Sequence, residues 1–164
     1  MYKRILLAYN GTAEGALALR EGALLAMTCD AKVVLLSVVP NSAGGAELVG
    51  GVGGALAQEM GDYGDLLNRA VAWLKERGID SVPRLAVGEP APIIGMVARQ
   101  MGADLVVVGH QRQNFLSRWW SGSTQAYLSD QLDCSVLIAR SAISEESFDR
   151  KVRTWRSASP RPSE

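Results

Sequence analysis

The sequence predicts an α/β domain: a three-layer sandwich around a five-stranded parallel sheet, with strand order 3-2-1-4-5. Three observations lead there. Short apolar runs alternate with stretches of helical periodicity, which is the pattern of βαβ units. The first, second and fourth runs are almost wholly apolar, as strands covered on both faces by helices must be. The third run contains Pro83 and Arg84; proline has no N–H for a ladder, so that strand belongs on an edge. With right-handed crossovers, the order 3-2-1-4-5 satisfies all three. It reverses direction between strands 1 and 4 and leaves a crevice at their carboxyl ends.

Each element has its own signal. Residues 5–9 (ILLAY) form the first strand, closed by the turn dipeptide Asn10-Gly11. Thr12 is placed to cap a helix on which Ala13, Ala16, Leu17, Ala23, Leu24 and Met27 recur at helical spacing. Residues 33–39 are the second strand, ended by Pro40. Leu56, Met60, Tyr63, Leu67, Ala70 and Leu74 mark a long amphipathic helix stopped by Gly78. The third strand is 82–87. A short helix follows, carrying Ile93, Ile94, Val97, Ala98 and Met101 and closed by Gly102. Residues 105–108 are the fourth strand, 124–132 a last helix and Ser135 to Ala139 the fifth strand.

Composition bounds the function. At 164 residues the chain suits a single domain that buries roughly two thirds of its unfolded surface. Its formal net charge is zero, so no global field draws it to nucleic acid or to an anionic membrane. The first apolar run is too short for a signal peptide, and no window approaches the roughly 20 apolar residues of a membrane span. Cys29 and Cys134 have no metal-ligand spacing and read as buried thiols of a reducing compartment. The expectation is a cytoplasmic protein. No Ser-His-Asp set, HExxH motif or Cys-His cluster is present, so neither catalytic residues nor metal ligands are nominated. His110 reads as a hydrogen-bonded structural residue. Phe115, Trp119 and Trp120 interleave with Arg112 and Arg118 as a single-strand binder's would. Aromatics closing a loop over a domain edge are the commoner cause of such a pattern, and nucleic acid is not the expected partner.

Two segments stand outside the alternation. Residues 41–54 are glycine-rich, but no Lys-Ser or GxGxxG frame fits, and a flexible loop is expected. The domain proper is expected to end at 143. Residues 144–164, with alternating charges and late prolines, read as a fraying helix and then a flexible tail whose arginines could meet an acidic partner.

The opening KRILLAYNGT, the second-strand LLSVV, the fourth-strand DLVVVGH and the closing CSVLIAR resemble the universal stress protein family over nearly all of residues 1–141. The resemblance implies an adenine nucleotide alpha hydrolase-like, Rossmann-like fold and a homodimer, in one of two branches. One binds ATP; the other lacks nucleotide and acts through partner proteins. The ATP branch carries glycine, two residues, glycine, nine residues, then Gly-Ser or Gly-Thr. Here Gly109 fits, Arg112 stands where the second glycine belongs, and Gly122 and Ser123 return at the expected distance. The first strand of that branch also ends in an aspartate, where this chain has Asn10. Carried over by position, Ala8 and Asn10 would border ribose and adenine, and Val38 would contact adenine through its backbone. Val108 and Gly109 would line the nucleotide, and Gly122, Ser123 and Thr124 would hold phosphates at a helix N-terminus. Ser123 or Thr124 could equally serve as the cap of that helix.

Energetics leave Arg112 open in sign. An L-residue forced to positive φ costs on the order of 1–2 kcal/mol. A guanidinium aimed at phosphate oxygens returns about 1.5–3 kcal/mol. The fifth strand is short, apolar and uncharged yet lies on an edge, which invites pairing with a second chain unless the tail covers it.

Overall fold

The computed structural model describes residues 1–40, 52–109, 132–140 and 143–158. The sheet has the order β3-β2-β1-β4-β5 and every neighbouring pair is parallel. Its strands are β1 (Arg4–Ala8), β2 (Lys32–Val39), β3 (Ser81–Val87), β4 (Leu105–Gly109) and β5 (Ser135–Ala139). The helices are α1 (Ala13–Cys29), α2 (Val52–Glu76), α3 (Pro90–Met101) and α4 (Glu145–Ala158). β3 is an edge strand, and its Pro83 stands opposite Leu35. The helix expected over 124–132 lies outside the described residues.

Alternation along the strands splits the core in two. Ile5, Leu7, Val33, Leu35, Leu105 and Val107 face one way and pack with α1, α2 and α4. Leu6, Leu36, Val38, Val106 and Val108 face the other way and pack with Ala91, Ile94, Val97 and Ala98 of α3. These two faces are the period-2 signature of a sheet buried on both sides. α1 sits close to the sheet because its inner face is small: Ala18, Gly22, Ala23 and Ala26 are buried, and a Cβ on Gly22 would strike Leu7.

Several bounds move: β1 runs Arg4–Ala8 rather than 5–9, and β2 and β3 each begin one residue earlier than expected, at Lys32 and Ser81. α2 begins at Val52, so the helix takes in the end of the stretch read as a loop up to residue 54. Once the Leu56-to-Leu74 stripe has nucleated a helix, adding residues at its end is cheap. β4 runs to Gly109, one residue longer than expected, because Gly109 still stands opposite Ala139. The segment read as a fraying helix and then a flexible tail contains α4 over Glu145–Ala158, with Phe148 and Val152 buried in the same cluster as α1 and α2. Arg77 of α2 anchors it. Its Nε donates to Asp149 Oδ1 (2.7 Å), its guanidinium pairs with Glu145 (3.0 Å), and its Cζ lies 4.0 Å from the Trp73 ring centre. Trp73 stacks on Phe148 at 5.0 Å and donates its indole N–H to Glu145. Two of the three carboxylates of α4, Glu145 and Asp149, are thus taken up by one arginine.

Candidate functional site

The carboxyl ends of β1 and β4 part company because β1 leads through α1, on one face, to β2 on one side, while the chain returns from β3 through α3, on the other face, to β4 on the opposite side of β1. Between them lies a cavity of about 300 Å³. This is the low end of the range for small-molecule pockets and the size of a nucleoside rather than of a long chain. Leu36, Val38, Val108 and Ala8 form its apolar floor, and Pro90 and Ile94 of α3, Tyr63 of α2 and Pro40 just after β2 line it as well. Tyr9, Asn10, Thr12, Gly15 and Gly109 complete the described rim, and none of these lining residues carries a formal charge at neutral pH.

Local chemistry sets that rim. β1 ends at Ala8, but the Tyr9 N–H still donates to the Leu36 carbonyl (2.9 Å). The buried Ser37 hydroxyl then donates to the Tyr9 carbonyl (2.8 Å), sealing the strand end. Because the main chain of a strand alternates sides, the residue two after Leu36 points its N–H and C=O the same way. Leu36 faces β1, and the carbonyl of Val39 accepts from Gly88 beside β3. Val38 therefore presents its main chain toward the β1 side, beyond the end of β1, where the crevice lies. Gly11 turns the chain at φ 76°, the left-handed region glycine adopts without strain.

The first turn of α1 is tightly fixed. The Gly15 N–H donates to Thr12 Oγ1 (3.0 Å), the expected N-cap bond. The Thr12 hydroxyl donates to Asn10 Oδ1 (2.8 Å), and the Thr12 N–H donates to the same oxygen (3.2 Å). Gly109 closes against this turn: a Cβ there would stand 2.6 Å from the Glu14 carbonyl oxygen and 3.0 Å from the Gly15 nitrogen. Only glycine permits that approach of β4 to α1. Tyr9 is half-buried, and burial pushes its phenol above its ordinary pKa against the opposing pull of Arg69 and Arg20. It stays neutral at physiological pH.

Of the residues the sequence nominates, Ala8, Asn10, Val38, Val108 and Gly109 come together around this one cavity. Arg112, Gly122, Ser123 and Thr124 lie outside the described residues, as do His110, Trp119 and Trp120. Sequence reasoning did not single out Tyr63, Pro90 and Ile94 as lining residues. Tyr63 and Ile94 belong to apolar helix stripes, and it is the packing of α2 and α3 on the sheet that brings them to the crevice.

The description that matches residues 1–140 is Universal stress protein family. A putative universal stress protein of Staphylococcus epidermidis is 27% identical over 156 residues, covering 93% of each chain. Among solved structures, a universal stress protein family member from Burkholderia pseudomallei is 26% identical with a TM-score of 0.64, covering 84% of this chain and 95% of that one. A universal stress protein from Archaeoglobus fulgidus in complex with dAMP shares the fold at a TM-score of 0.60 and 20% identity, covering 85% of this chain and 98% of that one. With the sheet order, the crevice and the matched span in agreement, this chain belongs to the universal stress protein family.

Proposed function

We propose that this chain is a cytoplasmic stress-response protein that binds an adenine nucleotide in the β1/β4 crevice without turning it over. Occupancy of the crevice would change which protein partners it engages. The observation that carries the reading is the cavity itself: a nucleoside-sized hollow with an apolar floor and, at Val38, main-chain polar groups turned toward it. A flat base needs apolar faces and one donor-acceptor edge, and a strand main chain supplies such an edge. In this reading Ala8 and Asn10 border the ribose and adenine, Val38 contacts the adenine through its backbone, and Val108 and Gly109 line the nucleotide. Arg112, Gly122, Ser123 and Thr124 hold the phosphates. The dAMP complex of the Archaeoglobus fulgidus relative supports the adenine assignment. Binding without chemistry is favoured because the described lining offers no carboxylate, imidazole or amine to move a proton.

The β5 edge is proposed to pair with a second copy. Native mass spectrometry of freshly purified protein tests both parts, since it reports subunit count and co-purified nucleotide together. Calorimetry with added ATP and AMP then measures affinity. Saturable micromolar binding of either nucleotide is the expected result. Absence of saturable binding overturns the ligand proposal and favours the nucleotide-free branch, a dimer acting through partner proteins alone.

A further inference from the structure

Asn10 sits on the crevice rim, and the direction of its amide is fixed by its neighbours. Two donors converge on its Oδ1: the Thr12 N–H at 3.2 Å and the Thr12 hydroxyl at 2.8 Å. The hydroxyl oxygen also accepts from the Gly15 N–H at 3.0 Å, which leaves its hydrogen for Asn10 Oδ1. An N–H can only donate, so the Asn10 atom facing Thr12 must be the carbonyl oxygen; the amide cannot be flipped. Gly15 makes room for this arrangement, since a Cβ there would stand 2.6 Å from the same oxygen. With its acceptor turned into the α1 turn, exposed Asn10 has only its NH2 group left for a ligand.

We infer that Asn10 makes the ribose side of the crevice a donor site, selective for an adenosine phosphorylated at its 3′ oxygen over one with a free 2′,3′-diol. The inference rests on the adenine reading above and names the ligand class within it. A free diol is best held by an acceptor that takes its hydroxyl hydrogens, and a carboxylate at this position would supply one. An NH2 group cannot accept those hydrogens and can give the diol oxygens only a neutral bond, whereas its bond to a phosphoryl oxygen is charge-assisted and stronger. No carboxylate lines the described crevice to repel that phosphate.

The test compares 3′-AMP, 3′,5′-cyclic AMP and 5′-AMP by calorimetry on the wild-type protein and on Asn10→Asp. The two linear isomers carry the same charge and atoms, so unspecific attraction cancels between them. Asn10→Asp keeps an acceptor for both Thr12 donors, and the α1 cap should survive, as circular dichroism can check. Wild type is expected to bind at least one 3′-phosphorylated probe about tenfold or more tighter than 5′-AMP. The linear and cyclic arms tell whether a monoester or a diester is preferred. Asn10→Asp is expected to reverse the order. If 5′-AMP binds wild type as well as both other probes, or if the substitution changes all three equally, the inference is overturned while adenine binding stands. If none binds, the adenine reading falls and takes the inference with it.

Discussion

Gly109 shows how a single atom can govern the site. Its missing side chain lets β4 close to within 2.6 Å, measured from a hypothetical Cβ, of the Glu14 carbonyl. The obstacle is main chain, which has no rotamer to change. Gly109→Ala must therefore separate the end of β4 from the first turn of α1. An overpacked core position costs typically 1–3 kcal/mol, and that loss should appear as a lower urea midpoint. Gly61, exposed on α2 with nothing within 4 Å of a hypothetical Cβ, is the matched control. Gly61→Ala should raise stability by about 0.5–1 kcal/mol, because glycine in a helix interior loses more chain entropy. Equal effects at the two sites would show that close approach is not what Gly109 provides. The same pair separates site from stability, since only Gly109→Ala should weaken AMP binding.

Among the elements, α4 best shows what was legible in the sequence and what was not. The strand order was legible because Pro83 and Arg84 disqualify β3 from the interior, while β1, β2 and β4 are apolar on both faces. The end of β1 and the α1 cap were legible from Asn10-Gly11 and Thr12 for equally local reasons. α4 was obscured by its charges. Phe148, Val152 and Trp155 recur at intervals of four and three, a proper helical stripe, but Glu145, Asp149 and the basic residues between them dominate the composition. That Arg77, nearly 70 residues earlier, would neutralise Glu145 and Asp149 is a tertiary fact with no local signature. The crevice was half legible for the same reason: strand ends and turns announce themselves, but Tyr63 and Ile94 reach the site only through helix placement. Docking of α4 should hang mainly on Phe148, fully buried and stacked on Trp73. Deleting such a ring costs about 3–5 kcal/mol unless the helix first lets go, which caps the loss at its docking energy. Phe148→Ala should therefore abolish hydrogen-exchange protection across 145–158 while amides of β1 and β4 stay protected. Retained protection in α4 would mean that the Arg77 pairs, partly exposed and screened by water, suffice on their own.

At the scale of the whole molecule, the two edges of the sheet are unlike. β3 carries Pro83 and Arg84, and Arg84 is bonded across to Gln100 of α3; a proline and a charge on an edge discourage another strand. β5 has neither. Ser135 and Val136 are exposed, with Val136 at 43%, while Leu137 and Ile138 are half-covered. Coverage by the C-terminal segment is the alternative to self-pairing at this edge, and residues 159–164 lie outside the described residues. Among the described residues, α4 packs on α1 and α2 through Phe148 and Arg77, and the first half of β5 is exposed. An open, uncharged apolar edge in a chain of zero net charge has little to keep it from pairing, because neither local nor global repulsion opposes a second copy. Isologous pairing brings the same patch of both chains together, so one substitution acts twice. Val136→Lys should thus place two buried ammonium groups in the interface for one change in sequence. Light scattering after size exclusion should show a dimer for the wild type and a monomer for Val136→Lys. The crevice lies at the other end of β4, so AMP binding should persist in the monomer. A wild-type monomer at micromolar concentration, or a dimer indifferent to the lysine, would place any self-association elsewhere.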